Sequence, residues 1–165
     1  MTMKTPKQQH NKPSTSTPPP IDLIKINFDL ASKGNPGPAG YGDTLRNSNG
    51  DILCLVAGYL VETRNNAAEL TGLLRGLQTV TDRHCHKLIL EGDSQIVLQL
   101  ITKILHGVQP LKISPRWRLS GLLEDLKNLL GTNLSIIPSD VKRDANRVAD
   151  CLTNKVVTKE IDHFY

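Results

Sequence analysis

Four acidic residues stand where a chain of alternating strands and helices could bring carboxylates together. Each belongs to an apolar strand pattern or to the helical pattern after it, and the four are Asp29, Glu69, Asp93 and Asp150. In sheets flanked by helices, acids at the carboxyl ends of strands and at the starts of the following helices can meet at one edge. Carboxylates that meet repel one another unless a cation holds them, and oxygen-only ligation suits Mg²⁺ or Mn²⁺. Convergence would therefore mean a metal site.

Taken one at a time, each acid also has an ordinary structural explanation. Asp93 could be a helix N-cap, Asp150 a solvated surface acid and Asp29 a turn residue at a strand end. Glu69 is predicted in the first turn of its helix, where it could interact with the helix dipole, although it also borders the buried face four residues before Leu73. Only the set of four, each within its own flanking motif, favours function.

The periodicity of apolar residues predicts the elements that would position these acids. The predicted strands are Ile24 to Asp29, Tyr41 to Arg46, Ile52 to Val61, Lys87 to Glu91 and Asn133 to Ile137. The predicted helices are 66–81, 94–105, Pro115 to Leu130 and Ala145 to Val157. The Gly/Pro-rich stretch 31–42 is expected to contain little regular structure, and Asn49 with Gly50 predicts a tight hairpin turn. This order of elements predicts an α/β fold, a mixed sheet with helices on both faces.

The composition indicates one folded domain after a polar tail. The chain has 165 residues, enough for a single core. Residues 1–20 are basic, rich in Pro, Ser and Thr and almost free of apolar side chains, so we expect a disordered tail followed by a domain over 21–165. The formal net charge of +4 comes largely from three lysines of this tail, which excludes a uniformly basic nucleic-acid coat.

The cysteines and the hydropathy bear on the cellular environment. Three cysteines without CxxC spacing argue against a disulfide framework or a zinc finger and fit a reducing compartment. No apolar run approaches the roughly 18 residues that span a bilayer. We therefore expect an intracellular monomer, cytoplasmic or nuclear, without a membrane partner, and organelle targeting stays open.

Four segments resemble the type 1 ribonuclease H domain, and the likeness is greatest to its short plant and retroelement forms. They are FDLASKGNPGPAGYG (28–42), NNAAEL (65–70), GDSQIV (92–97) and ANRVADCLTN (145–154), and the likeness covers residues 22–157. The resemblance implies a ribonuclease H-like three-layer fold with a five-stranded mixed sheet in the order 3-2-1-4-5. It also implies that the four acids are catalytic and hold two Mg²⁺ ions, for which Mn²⁺ could substitute.

The same resemblance implies the substrate and the residues that contact it. The family hydrolyses the RNA strand of RNA/DNA hybrids, and a two-metal-ion endonuclease leaves a 5′-phosphate and a 3′-hydroxyl. The residues expected to face the minor groove, where the 2′-hydroxyl distinguishes RNA from DNA, are Asn35, Asn66 and Gln95. Basic residues that could contact phosphates are Lys33, Lys142, Arg143 and Arg147.

Two departures from the family pattern keep other interpretations open. Leu30 stands where the family commonly has glycine, and Asp140 or its neighbours stand where many relatives carry a histidine. The first alternative is a catalytically weakened domain that binds nucleic acid without cutting it. The second is an unrelated α/β module whose acids are helix caps and surface charges, which would require four family-like segments to coincide by chance.

Overall fold

The computed structural model describes residues 15–109, 117–131 and 134–157. The strands are β1 (Ile24–Ser32), β2 (Gly37–Arg46), β3 (Ile52–Thr63), β4 (Lys87–Gly92) and β5 (Ser135–Asp140). The α-helices are α1 (Asn65–Asp82), α2 (Gln95–Leu105), α3 (Trp117–Leu130) and α4 (Arg147–Val157). A short 3₁₀ turn, Arg143–Asn146, leads into α4. Within these ranges no helix combines the length and the apolar character needed to cross a membrane.

The strands form one five-stranded mixed sheet in the order β3-β2-β1-β4-β5. β1 pairs antiparallel with β2, and β2 pairs antiparallel with β3. β4 lies parallel to both β1 and β5. The predicted order 3-2-1-4-5 is therefore confirmed.

The Gly/Pro-rich stretch between the first two strands is mostly regular structure, so the prediction of an irregular connection over 31–42 is wrong. β1 continues through Ser32, which pairs with Ala39 of β2. Neither proline interrupts the ladder, because Pro36 lies in the turn and the carbonyl of Pro38 accepts a hydrogen bond from the Lys33 amide at 2.8 Å. Proline has no N–H group to donate, but its carbonyl can still accept a hydrogen bond, as that of Pro38 does here.

Helices cover both faces of the sheet, as predicted. Ile26 and Phe28 of β1 point to one face, where they join a core with the leucines of α1 and apolar residues of α2 and α3. The alternate residues of β1 point to the other face, which α4 covers. Gly42 of β2 lies there, and a Cβ at this position would lie 2.9 Å from the Cβ of Leu152. The missing side chain allows α4 to approach the sheet closely.

Two element boundaries in the carboxyl-terminal part of the chain differ from the predicted ones. β5 continues past the predicted end at Ile137 to Asp140, because Pro138 lies on an edge strand that needs no further pairing. The last helix begins at Arg147 rather than Ala145, since the 3₁₀ turn precedes it. The predicted helix start at 115 and strand start at 133 lie outside the described residues.

Residues 15–20, here called the N-terminal strap, lie against the sheet. The Ser16 hydroxyl donates a hydrogen bond to the Glu91 carboxylate, and the Lys25 ammonium donates one to the Thr17 carbonyl. Pro19 is buried. Six residues of the predicted tail thus lie in contact with the sheet, and residues 1–14 lie outside the described part of the chain. The strap is attached mainly through polar groups, which a search for apolar patterns does not detect.

Asp43 is a fully buried carboxyl on the α1 face of β2. It lies opposite Phe28 in the ladder and against α1 at Gly76, where a Cβ would meet its Oδ2 at 2.7 Å. Neither carboxyl oxygen has a hydrogen-bond partner among the described residues. Burial raises the pKa of Asp43 well above its usual range, and the charge of Asp29 raises it further. The folded chain therefore keeps this proton at pH values where the unfolded chain has lost it.

Asp43→Asn should stabilise the metal-free protein by an amount that grows as the pH rises above about 4. For this one group the wild type loses about 1.4 kcal/mol of unfolding free energy per pH unit, from the unfolded-state pKa up to the folded-state pKa. The asparagine variant has no such loss. Urea unfolding in EDTA at several pH values measures the difference. The exposed Asp125→Asn serves as control, and parallel pH profiles of wild type and Asp43→Asn would contradict the expectation.

Deletion of residues 1–20 should lower the melting temperature relative to deletion of residues 1–14. The longer deletion removes the strap and its hydrogen bond to the Glu91 carboxylate, worth about 2 kcal/mol for a charged acceptor. In a chain of this size that loss corresponds to about 4–8 °C. Thermal unfolding of the two truncated proteins under identical conditions provides the comparison, and equal melting temperatures would show that the strap contributes nothing.

Candidate active site at the carboxyl ends of β1 and β4

Asp29 is a buried acid near the carboxyl end of β1, on the face that α4 covers. The Thr153 hydroxyl of α4 donates a hydrogen bond to Asp29 Oδ2 at 3.1 Å. Burial raises the pKa of Asp29 to about 7, the hydrogen bond from the Leu30 backbone opposes this, and the charges of Asp93 and Asp150 raise it further. Asp29 is thus a carboxyl enclosed by protein and surrounded by other acids.

Asp93 and Glu69 lie beside each other next to the end of β4. Asp93 follows β4 directly, and the N-cap of α2 is Ser94, so capping does not explain Asp93. Ser94 does not cap with its side chain and instead donates a hydrogen bond to Glu69 Oε2 at 2.5 Å. Burial raises the pKa of Glu69, the Ser94 bond lowers it and the Asp93 charge raises it. Glu69 is the fifth residue of α1 and lies just past the first turn, so the predicted first-turn position is wrong by one residue.

Asp150 lies in the first turn of α4 and is held by an arginine. The guanidinium of Arg143 donates from Nε and Nη2 to Asp150 Oδ1, at 3.1 Å and 2.7 Å. This hydrogen bonding raises the pKa of Arg143, and the charges of Asp150, Asp29 and Asp93 add to the effect. The arginine is largely exposed, so the pair contributes little to stability. Its position places one positive charge at the margin of the acidic group.

The four predicted acids surround one end of the sheet without forming a closed ligand cluster. The charges of Asp93 and Asp150 raise the pKa of Asp29, and the charge of Asp93 raises the pKa of Glu69. Among the described residues, however, no three or more His, Cys, Asp or Glu side chains are arranged so that they could hold a metal ion. Ser94 holds one carboxylate and Arg143 another. The donor set of carboxylate oxygens nevertheless fits Mg²⁺ or Mn²⁺, because Asp29 is a buried acid that the charges of Asp93 and Asp150 repel.

The residues predicted to contact substrate lie on the segments that carry or flank the acids. Asn35 is exposed in the β1–β2 turn, and Asn66 is half-buried in the first turn of α1. Gln95 begins α2 and donates a hydrogen bond to Asp140 Oδ2 at 3.2 Å. All four basic residues proposed for phosphates are exposed, but Arg143 binds an acid. The other three are Lys33, Lys142 and Arg147.

Three positioning side chains were not singled out from the sequence, although all lie inside the family-like segments. Asn146 is buried and donates a hydrogen bond to the Phe28 carbonyl at 2.6 Å, which attaches the start of α4 to β1 just before Asp29. Ser94 and Thr153 each contact one of the acids. Their only signal in the sequence is that they are polar residues adjacent to an acid or one turn from it.

Comparison with known proteins gives consistent matches. The sequence profile of the family described as Reverse transcriptase-like matches residues 27–156. Ribonuclease HI of Halobacterium salinarum is 32% identical over 130 residues, which are 79% of this chain and 62% of that protein. The crystal structure of RNase H1 from the same archaeon superposes with a TM-score of 0.68 and 27% identity, covering 83% of this chain and 98% of its own.

A second solved structure is LC11-RNase H1, isolated from compost, in complex with an RNA/DNA hybrid. It superposes with a TM-score of 0.64 and 26% identity, and the match covers 83% of this chain and 98% of that chain. The chain spans about half to three fifths of the length of the curated relatives that it matches.

Asp29→Asn should abolish the stabilisation that Mg²⁺ gives to the protein. In EDTA at pH 8 the variant should melt above the wild type, because the amide removes a buried charge that other acids repel. With Mg²⁺ at 100 times its dissociation constant, the wild type should gain about 2.7 kcal/mol and the variant much less. Thermal unfolding with and without Mg²⁺ measures both effects. Asp51→Asn, an exposed control, should behave like the wild type, and an equal Mg²⁺ shift in Asp29→Asn would count against a metal site at Asp29.

Proposed function

Because the chain belongs to the Reverse transcriptase-like family and has the ribonuclease H fold, we propose that it is a metal-dependent endonuclease that hydrolyses the RNA strand of RNA/DNA hybrids. The observation that carries the proposal is the buried Asp29 carboxyl, whose pKa is raised to about 7 at a sheet edge where the Asp93 and Asp150 charges also act. That LC11-RNase H1 was solved with an RNA/DNA hybrid supports the substrate class.

In this proposal Asp29, Glu69, Asp93 and Asp150 hold two Mg²⁺ ions, with Mn²⁺ as a substitute. Two bound divalent ions supply an activated water and stabilisation of the leaving 3′ oxygen, which gives 5′-phosphate and 3′-hydroxyl products. Asp29 would be the central acid of this set, because the charges of Asp93 and Asp150 both act on it. No side chain has to act as a nucleophile.

Arg143 has a role in this proposal that its contact with Asp150 suggests. Its guanidinium bonds to Asp150 and neutralises part of the acidic group. If Asp150 held a cation, the exposed Arg143 guanidinium would be free to contact a phosphate of the substrate. Arg143 begins the 3₁₀ turn, three residues after β5 ends at Asp140, and the family resemblance implies a histidine at Asp140 or its neighbours. It would supply a fixed positive charge there but no proton transfer, because an arginine does not lose its proton in this pH range.

Recognition of RNA is proposed for the polar side chains beside the acids. Asn35, Asn66 and Gln95 carry amide groups that can both donate to and accept from a 2′-hydroxyl. Gln95 is already oriented by its hydrogen bond to Asp140. The hybrid would then lie across the β1–β2 turn and the starts of α1 and α2.

Leu30 is compatible with activity because of its position in the strand. Successive residues of a strand point to opposite faces, so the Leu30 side chain points away from the face that carries the Asp29 carboxyl. The side chain opposite it in the ladder is Tyr41. The departure from glycine therefore places bulk on the α1 side of the sheet rather than beside the acids.

A domain that binds hybrids without cutting them is the second candidate. It is favoured by the Arg143–Asp150 contact and by the arrangement of the described acids, which forms no cation-holding cluster. In that case the positive charge of Arg143 would replace a metal ion permanently. The two candidates differ in whether Mg²⁺ can displace the arginine.

The wild type should cut the RNA strand of a labelled RNA/DNA hybrid with Mg²⁺ and leave duplex DNA intact. Asp29→Asn should lower the cleavage rate by about three orders of magnitude or more, because the several kcal/mol that bound metal gives the transition state would be lost. Leu30→Gly should change the rate only a few-fold, since the side chain points to the other face. A gel assay with Mg²⁺ and then Mn²⁺ measures all three.

The same gel assay distinguishes the endonuclease from the domain that only binds hybrids. Binding of the hybrid without cleavage by wild type and Leu30→Gly, with either metal, would support the binding-only domain. In that case Arg143→Ala should be tested next, because removing the guanidinium frees Asp150 and should restore Mg²⁺-dependent cleavage only if the arginine had blocked the site. Cleavage by the wild type decides for the endonuclease.

A further inference from the structure

A buried polar cluster connects β1 to β4 on the face that α4 and the strap share. Glu91 of β4 accepts hydrogen bonds at 2.8 Å from the Lys25 ammonium and from the Asn27 amide, both on β1. The Ser16 hydroxyl of the strap donates a third. The exposed fractions of Lys25, Asn27 and Glu91 are only 4%, 4% and 3%. We call these four residues the β1–β4 clamp.

The clamp lies at the last paired position of the two strands. The parallel ladder between β1 and β4 runs from Ile24 with Leu88 to Asn27 with Glu91. Asp29 and Asp93 each come two residues after that last pair. After the Asn27–Glu91 pair, these described strands have no further ladder pairing that would determine the distance between them. The Phe28 ring packs on Gly92 on the opposite face of the sheet, so among the described residues the clamp is the last polar connection between the two strands before the acids.

Stability alone does not explain a charged pair at this place. Removing two charges from water has a large desolvation penalty, and apolar residues of similar volume often give equal or greater stability. The pair is nevertheless enclosed, with its side chains 5% and 4% exposed. Directional hydrogen bonds differ from apolar contacts in holding two strands at one distance and one register.

We propose that Glu91 is a positioning residue for metal binding, which acts through Lys25 and Asn27 to hold the Asp29 and Asp93 carboxylates at the separation that a divalent cation requires. This inference rests on the proposed function, because it assumes that the two acids share a metal site. The strap belongs to the same device, because Ser16 occupies one Glu91 oxygen and Thr17 accepts from Lys25. Glu91 itself contacts neither metal nor substrate in this proposal.

The principal test is the Mg²⁺ affinity of Glu91→Gln, measured by calorimetry on the full chain. The introduced amide side chain keeps an oxygen for Asn27 and Ser16 but presents its NH₂ group to Lys25. The Mg²⁺ dissociation constant should rise about 10-fold or more, the usual effect of changing a group that orients metal ligands. Ser16→Ala should give a smaller rise in the same direction. Val80→Ala, a buried change in α1 away from the acids, should lower the melting temperature without changing Mg²⁺ affinity.

A second variant separates positioning from stability. Lys25→Met and Glu91→Leu combined with Asn27→Leu and Ser16→Ala replace the whole clamp by apolar side chains and leave no clamp donor without its acceptor. We expect this variant to melt near the wild-type temperature. Its Mg²⁺ affinity should still fall. It also serves as the test if Glu91→Gln does not fold. Wild-type Mg²⁺ affinity in either folded variant, or an equal loss in Val80→Ala, would overturn the proposal.

Cleavage assays on the same proteins distinguish this proposal from the proposed function. In Glu91→Gln the Mg²⁺ concentration for half-maximal cleavage should rise, while KM for the hybrid should change less than about 2-fold, because the clamp lies behind the acids rather than at the substrate surface. A wild type that binds Mg²⁺ but does not cut would defeat the endonuclease proposal and leave the calorimetric comparison valid. A wild type that binds no Mg²⁺ would overturn the positioning role.

Discussion

The enclosure of the Asp29 carboxyl between β1 and α4 is the constraint on which the site depends. A carboxyl in that position loses hydration and feels the charges of Asp93 and Asp150, which together raise its pKa to about 7. The protein offsets part of this with a hydrogen bond from Thr153 and one from the Leu30 backbone. Keeping an ionised carboxylate at this position costs free energy. A bound cation would offset that cost by supplying the missing positive charge.

The same constraint explains how α4 is attached. Gly42 has no side chain to hold α4 away from the sheet, so the helix packs closely against it. Apolar contact alone would still let the helix shift along the sheet. Asn146 then bonds to the Phe28 carbonyl and Thr153 to Asp29, at the start of the helix and two turns later. These two polar contacts determine the register of α4, and with it the position of Asp150. The acid from the last helix thus reaches a site that begins on the first strand.

Different interactions hold the two faces of the sheet. On the α1 side, Ile26 and Phe28 pack with leucines, and burial of apolar area supplies the stability. On the α4 side, alternate residues of β1 are Lys25, Asn27 and Asp29, all buried and all polar. That side is held by directional hydrogen bonds, to Glu91 and to Thr153, which provide orientation more than stability. Asp43 is the exception, an acid on the apolar side whose carboxyl oxygens have no hydrogen-bond partner within the described ranges.

The sequence by itself determined the order of the elements and the mixed sheet, and it predicted the four acids as the site. Apolar periodicity and the flanking segments are local features, and they suffice for properties that depend on local spacing. Only the tertiary structure decided that the Gly/Pro stretch pairs as strand, that the strap lies on Glu91, that Ser94 bonds to Glu69 rather than capping α2, and that Arg143 holds Asp150. Each of these outcomes is a polar contact whose partner must be brought close by folding. The sequence does not show which distant group a polar residue will contact. The energy of its hydrogen bond depends on direction and distance in the folded chain, not on the surface area of the residue itself.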